Sequence, residues 1–274
     1  MAAAGSGGSA GCFPGPYPTP SGEEKNQDER QGGQCLLNGM DLLKDVTESK
    51  RFLPTGLQGY SHLESSTLFL EEACAKVCLC SASHVAARQL GHVMYLDTSN
   101  SFSPSRIARI VDGFPFSLVK LPKNVRLERV MTSIVCKSVF DIFDLFEVLH
   151  QLELSLKNKV KCGNSNICLL IIDSISALLA PINGGKYPRG RSMMMSVAML
   201  LKKLADEHNL SVLVTNHMVA GNGAPKPALG ESWKTVPHVR LAISRARGSN
   251  ICTATVLKHT LLASGRVMKF PVPS

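Results

Sequence analysis

Hydrophobic residues occur in short uninterrupted runs along this chain, and one run dominates the pattern. Residues 167–172 are all apolar, and Asp173 and Ser174 follow at once. A run this short, ended by polar residues, predicts a strand buried on both faces, as in a parallel sheet covered by helices on each side. Ligands of open α/β sheets bind outside the carboxyl ends of the strands, so Asp173 is a candidate site residue. Capping of the next turn is the alternative role for this side chain.

The rest of the chain alternates between two apolar periodicities. Apolar residues three or four positions apart predict helices, whereas short apolar runs bounded by polar residues predict strands. Helices are predicted over 61–90, 104–110, 141–156 and 192–208. Strands are predicted over 92–96, 127–131, 211–215, 239–243, 251–257 and 267–272. Because helix and strand alternate first and strands then follow alone, we predict an α/β fold with a mainly parallel sheet and antiparallel strands at one edge.

The first 34 residues differ in composition from the rest. They are rich in Gly, Pro, Ser and charged residues, and such a segment buries too little apolar surface to order itself. We therefore predict a disordered tail over 1–34 and a core domain over 35–274. No apolar run reaches the roughly 18 residues that a membrane-spanning helix needs, so no membrane is expected as a partner.

Charge and cysteine content bear on the partner and the compartment. The chain has 30 basic and 21 acidic residues, a formal net charge of +9. This excess suits a polyanionic partner, although a merely soluble basic protein has the same balance. The nine cysteines are an odd number, and Cys168 lies inside an apolar strand, which indicates reduced thiols in an intracellular protein. Cys74, Cys78 and Cys80 lie close together, but no second pair completes a zinc site.

Several separate blocks of sequence resemble the RecA-type recombinases of eukaryotes. Three of them are LIIDS at 170–174, LLKKLADE at 200–207 and VLVTNH at 212–217. Three further blocks look like the D-type paralogue branch of that family, in its plant form. These are DTSNSF at 97–102, SVFDIF at 138–143 and KPALGESW at 226–233. The resemblance covers roughly residues 38–59 and 77–272 and implies a RecA-like core.

The resemblance also implies a function. It is that of an ATP-dependent protein of DNA repair and homologous recombination in the nucleus, which binds single-stranded DNA in a complex with other recombinase paralogues. ATP and Mg²⁺ are the implied cofactors. Asp173 falls on the acid that holds magnesium and is the catalytic candidate, with Ser174 beside it in the cofactor site. His217 falls where recombinases have the Gln that senses the γ-phosphate, and Ser99 falls where they have the Glu that activates water. Both departures argue against fast hydrolysis.

The first of the family's two DNA-facing loops falls on residues 180–191. Here Lys186, Arg189 and Arg191 lie among glycines. Mobile backbone with spaced cations can follow a phosphodiester chain, and each phosphate contact releases counterions. We predict DNA contact by these three side chains, with a basic surface loop as the alternative.

The second DNA-facing loop falls on residues 219–233. It carries Lys226 as a candidate phosphate contact and the only tryptophan of the chain, Trp233. An indole can stack on a base of a single strand. It can equally anchor the loop in the hydrophobic core, and the sequence leaves the two roles open.

The phosphate-binding loop is the largest departure from the family. The resemblance places a strand and the pattern G-x-x-x-x-G-K-[ST] between residues 59 and 77, but 60–76 contain no glycine and the pattern occurs nowhere in the chain. Small residues normally let backbone N–H groups close around phosphates at a helix N-terminus. Glu71 and Glu72 bring negative charge to that place instead. Lys76 is the remaining candidate phosphate ligand, and a solvated helix lysine is its alternative role.

Two expectations follow from this departure. The strand that precedes the phosphate-binding loop in the family should be missing here. The alternative function is then a non-enzymatic adaptor that keeps its partner surfaces and cannot bind ATP.

Overall fold

The structure is a computed structural model, and it describes residues 67–70, 75–115, 121–159, 167–183, 188–220, 226–245 and 251–271. The predicted disordered tail, 1–34, lies outside these residues. None of the described helices is long and apolar enough to cross a membrane.

Helices and strands alternate along the described chain. The helices are α1 (Ala75–Ala87), α2 (Pro104–Asp112), α3 (Lys123–Ser133), α4 (Ile142–Lys159), α5 (Ile175–Asn183), α6 (Pro188–His208) and α7 (Gly230–Lys234). The strands are β1 (Thr67–Leu70), β2 (His92–Asp97), β3 (Ile134–Ser138), β4 (Ile167–Asp173), β5 (Ser211–Thr215), β6 (Met218–Val219), β7 (Lys226–Pro227), β8 (Val239–Arg245), β9 (Ile251–Lys258) and β10 (Val267–Pro271).

One eight-stranded sheet organises the domain, in the order β10-β9-β8-β1-β5-β4-β2-β3. Six consecutive strands of this order, β8, β1, β5, β4, β2 and β3, pair with one another in parallel. The pairs β8–β9 and β9–β10 are antiparallel and form one edge. Strands β6 and β7 form a separate hairpin. The predicted α/β fold with a mainly parallel sheet and antiparallel edge strands is confirmed.

Alternate residues of the central strands face two different hydrophobic clusters, as the period of two in a strand requires. Leu169 and Ile171 belong to the cluster that also contains buried residues of α1, α2 and α3. Leu170 and Ile172 belong to the cluster formed with α4, α5, α6 and α7. Helices therefore cover both faces of β4, which explains its continuous apolar sequence.

The expectation that the strand before the phosphate-binding loop is missing is wrong. Strand β1 lies between β5 and β8 and is parallel to both, within the segment 61–90 that was predicted to be mostly helix. Its Thr-Leu-Phe-Leu sequence has no glycine or proline at either end, and an apolar run this short has no period that separates strand from helix. Backbone pairing on both sides decides the outcome, because buried N–H and C=O groups need partners.

A second prediction is also wrong. Residues 127–131 were predicted as a strand, but they belong to α3, and the strand β3 begins at Ile134. Arg126 and Val130, four residues apart, are the buried side chains of this helix. A buried arginine, whose guanidinium donates to the carbonyl oxygens of Phe114 and Leu121, concealed the helical spacing in a count of apolar residues alone.

Candidate functional site

Polar side chains converge where three neighbouring parallel strands end. Asp97 ends β2, Asp173 ends β4 and Thr215 ends β5, and these strands are adjacent in the sheet. Asp97 is directly opposite Asp173 in the β2–β4 register. The carboxyl edge of the sheet thus brings together residues that are far apart in the sequence, at the position where α/β proteins bind ligands.

The Asp173 carboxylate is enclosed by hydroxyl groups. Its Oδ1 accepts a hydrogen bond from the Thr215 hydroxyl at 2.6 Å. Its Oδ2 accepts hydrogen bonds from the Tyr95 phenol at 2.8 Å and from the Ser101 hydroxyl at 2.7 Å. Only 1% of the residue is exposed. Burial first, and then the charges of Cys78 and Asp173, raise the pKa of Tyr95 far above its usual value, so the phenol keeps its proton and remains a donor.

The second carboxylate, Asp97, fixes the loop that follows β2. Its Oδ1 accepts hydrogen bonds from the backbone N–H groups of Ser99 at 3.2 Å and Ser101 at 3.0 Å. Its Oδ2 accepts one from the N–H of Phe102 at 3.0 Å. A carboxylate that takes several backbone N–H groups holds a loop in one conformation. The Ser101 hydroxyl is thereby placed against Asp173.

Ser99 and Thr98 join this loop to the end of β4 through the backbone. The Ser99 hydroxyl is 3.4 Å from the carbonyl oxygen of Asp173, to which it donates. The Thr98 hydroxyl donates to the carbonyl oxygen of Ser174 at 2.8 Å and accepts from its N–H at 2.7 Å. Ser99, at the position where the family resemblance expects a water-activating Glu, makes only a structural contact of this kind.

His217 connects the end of β5 to the start of α5. Its Nδ1 lies 3.0 Å from the Ser174 hydroxyl and 3.2 Å from the Ser176 hydroxyl. Its backbone N–H donates to the Ser176 hydroxyl at 2.9 Å. The imidazole is therefore held between two serines, directly before the β6–β7 hairpin.

The predicted DNA-contacting residues occupy three different situations. Arg189 and Arg191 are exposed in the first turn of α6, and Lys226 is exposed on β7. Lys186 lies outside the described residues. Trp233 is only 2% exposed and packs in the hydrophobic cluster with Leu229 and Val236. Of its two open roles, the structure supports the core anchor, and Trp233 as a DNA-binding residue is a prediction that we correct, because a buried indole has no face for a base.

Lys76 lies in the first turn of α1, half-buried. The described residues of that turn, Ala75 to Cys78, include no Ser or Thr hydroxyl. Residues 71–74, with Glu71 and Glu72, lie outside the described part of the chain. Lys76 thus follows β1 along the chain, and its role as a phosphate ligand stays a prediction.

Sequence reasoning missed six members of the site, namely Tyr95, Asp97, Thr98, Ser101, Ser176 and Thr215. Thr215 had a usable signal, because it ends an apolar strand just as Asp173 does. Tyr95 had none, because it lies within an apolar strand where an aromatic residue predicts only core packing.

Comparison with known proteins assigns the chain to a family. The family model described as Rad51 matches residues 46–261. The chain is 31% identical over 225 residues to "DNA repair protein RAD51 homolog 4" of Bos taurus, covering 78% of this chain and 67% of that protein. It is 30% identical over 172 residues to "Meiotic recombination protein DMC1/LIM15 homolog" of Mus musculus, covering 58% and 46%. The fold and the sequence match together define a RecA-like recombinase domain. The chain belongs to the Rad51 family, which confirms the family predicted from the sequence.

Proposed function

We propose that this protein is a D-type, plant-like Rad51 paralogue that works in DNA repair and homologous recombination in the nucleus. It binds single-stranded DNA within a complex of recombinase paralogues, and it does so as an adaptor that needs no bound nucleotide. The match to the Rad51 model over most of the chain carries the first part of this proposal. The closed hydroxyl shell around Asp173 carries the second.

Two cations at the start of α6 support DNA binding. The N-terminus of a helix carries a partial positive charge, so Arg189 and Arg191 in the first turn are unfavourable for the helix by itself. This turn contains no acidic residue to compensate them. An anion bound there offsets the cost, because the helix terminus and both guanidinium groups then act in the same direction.

The ends of the first DNA-facing loop are held by a close helix contact. Gly190 is buried, and a Cβ atom built on it would lie 1.9 Å from the carbonyl oxygen of Ile182 in α5. The backbone of α6 thus approaches the last turn of α5 more closely than any other residue type permits. Arg189 and Arg191 flank this contact, which fixes the position of both.

The residues present do not fit Mg-ATP in the way that the family resemblance implies. The Asp173 carboxylate already accepts three hydrogen bonds on a side chain that is 1% exposed. Only about one of its roughly four acceptor positions is left for a magnesium ion or a water bound to it. No hydroxyl stands in the first turn of α1 as a second ligand, and the glycine-rich cradle is missing from the sequence. We therefore assign no step of the function to ATP, and Asp173 acts as a structural acid that gathers three segments.

The edge strand β3 supports assembly with paralogues. Within the described sheet it pairs only with β2, and Val135 on it is 49% exposed. Phe140 and Phe143, which follow it, are 80% and 71% exposed. An edge strand beside large exposed apolar side chains is a surface that another chain can cover by pairing and packing.

The proposed DNA binding is tested by measuring how the affinity for a fluorescent poly-dT oligonucleotide depends on salt concentration, in the absence of ATP. Replacing Lys186, Arg189 and Arg191 with Ala should reduce the slope of log affinity against log salt by about 2, since each phosphate contact on a single strand contributes about 0.7. Ala at three exposed cations of α2 and α3, namely Arg106, Arg109 and Lys123, is the matched control. An unchanged slope in the first variant would refute DNA contact by this turn.

The nucleotide part is tested separately by calorimetry with Mg-ATP. We expect no saturable heat up to millimolar ligand and no rise in melting temperature. Stoichiometric binding at micromolar ligand would contradict the adaptor assignment while leaving the DNA result untouched.

A further inference from the structure

A surface groove of about 750 Å³ runs between α6 and the turn that follows α7. Met195, Met199 and Lys202 of α6 form one side, and Thr235 and Val236 form the other. The groove shares no residue with the Asp173 site, with Arg189 and Arg191, or with the β3 edge. We propose that it is a docking site for an amphipathic helix of a partner protein, one that presents bulky apolar side chains flanked by carboxylates.

The lining is apolar where a solvated helix would be polar. Met199 is 69% exposed and Met195, one turn earlier on the same face, is 37% exposed. Ala198 and Val236 are buried beneath them, and the small alanine leaves depth for an inserted side chain. Methionine adapts its shape to different apolar partners, which makes it common at helix-binding surfaces.

The side opposite α6 is held by hydrogen bonds. The Lys258 ammonium, from β9, donates to the carbonyl oxygen of Thr235 at 3.1 Å and to that of Pro237 at 2.7 Å. The turn is therefore tied to the central sheet. One wall of the groove is α6, and the other is a turn anchored to β9 through Lys258, so its width is set before any partner arrives.

Cations collect at the Thr235 end of the groove. Lys258 lies close enough to Lys202 and Arg240 for their charges to lower its pKa, although burial is the larger cause. Arg240 is opposite Lys258 in the β8–β9 register. Lys202 is the one of these three cations that lines the groove, so a carboxylate placed at this end would face Lys202, and the nearby charges of Lys258 and Arg240 add to the positive potential there, which favours an acidic partner.

The other rim argues against a nucleic acid in the groove. Asp206 and Glu207 of α6 line it one turn beyond Lys202. These carboxylates repel phosphates along that part of the groove, and they equally confine the carboxylates of a partner helix to the Lys202 end. A protein segment of mixed apolar and acidic character fits both the methionines and the cationic end.

The walls also select a helix over an extended peptide. The backbone of α6 is bonded within the helix, and the carbonyl oxygens of Thr235 and Pro237 are taken by Lys258. An extended segment would find few backbone partners, whereas a helix brings its own hydrogen bonds. The stretch of α6 from Met195 to Glu207 spans about 18 Å at 1.5 Å per residue, so a ligand of about three turns fills it.

Two synthetic helical peptides of about 14 residues test this proposal by fluorescence anisotropy. Both carry leucines four residues apart, and they differ only in flanking glutamates or lysines. The acidic peptide should bind the full-length protein saturably and at least about tenfold more tightly than the basic one. Met199→Glu should abolish this binding, and Leu154→Glu, at an exposed apolar residue of α4, should leave it unchanged.

A second variant, with the charge at one groove residue reversed, separates a loss of peptide binding from a loss of folding. Lys202→Glu should remove the preference for the acidic peptide, and circular dichroism melting shows whether each variant is folded. Equal binding of both peptides, or none, would overturn the proposal. Displacement by a single-stranded oligonucleotide would assign the groove to nucleic acid instead. A Met199-dependent dimer in sedimentation would assign it to a second copy of the chain.

Discussion

Replacing Thr215 with Val tests whether the Asp173 site is closed in the protein in solution. The substitution keeps the side-chain shape and removes only the hydroxyl that donates to Asp173 Oδ1 at 2.6 Å. A hydrogen bond to a charged group contributes about 1.5–3 kcal/mol. Asp173 is 1% exposed, so water cannot replace the lost donor without opening the core.

We therefore expect Thr215→Val to lower the free energy of unfolding by about 2 kcal/mol, out of the roughly 5–15 kcal/mol typical of a domain. The corresponding fall in melting temperature is about 4–8 °C for a domain of this size. Urea unfolding followed by tryptophan fluorescence measures it directly, because Trp233 is the only tryptophan and is buried.

Thr132→Val is the matched control. The Thr132 hydroxyl donates to backbone carbonyl oxygens of its own helix on an exposed face, and its loss should stay within about 0.5 kcal/mol. If Thr215→Val costs no more than this control, the Asp173 carboxylate is solvated. The closed-site argument, and with it the adaptor assignment, would then fail.

Three further predictions concern other parts of the domain. Gly190→Ala should destabilise the protein by about 2 kcal/mol or more in urea unfolding, because its Cβ would collide with the backbone of Ile182. Hydrogen bonds from Lys157 and then Lys203 lower the pKa of Glu153 to about 2. Glu153 therefore stabilises the fold above about pH 4.5, and this contribution is lost as the pH falls toward 2; Glu153→Gln should flatten unfolding free energy against pH over that window. Burial and then the charge of Asp97 raise the pKa of Cys136 to about 11, so alkylation by iodoacetamide should accelerate up to about that pH, as followed by peptide mass spectrometry.

Each of these predictions has an internal comparison. Gly113→Ala introduces a Cβ no closer than 3.4 Å to its neighbours and should be tolerated. Glu147→Gln should keep the acid-side slope, because the exposed Glu147 carboxylate accepts a hydrogen bond from the uncharged amide of Gln151 and not from a lysine. A fast, pH-independent alkylation of Cys136 would show that its thiol is ionised at neutral pH.

Sequence patterns predicted most of the fold, because the helices and strands that are most deeply buried must have apolar residues at their buried positions. Strand β4 has helices on both faces and must be apolar throughout, and the turns of α6 repeat their buried residues at helical spacing. Strand β1 was missed because a four-residue segment with three apolar residues carries no period. Its identity comes from pairing with β5 and β8, a tertiary contact that local sequence does not encode.

The sequence predicted only those site residues whose role can be recognised from a single position in a strand. Asp173 ends an apolar strand and is visible in the sequence. The hydroxyl donors of its shell, Tyr95, Ser101 and Thr215, come from different strands and loops and meet only because β2, β4 and β5 are neighbours. Trp233 was left open between core and surface, since the same indole suits both, and packing against Leu229 and Val236 decided it.

Strand β1 separates two requirements that nucleotide-binding proteins usually satisfy with one motif. Its four residues pair in parallel with β5 on one side and with β8 on the other, and this needs only backbone pairing. Cradling a phosphate needs small residues in the loop beyond the strand. Here the first requirement is met without the glycines of the second. A chain of this architecture can therefore do without the glycines of that loop and still keep an eight-stranded sheet that continues from β10 to β3.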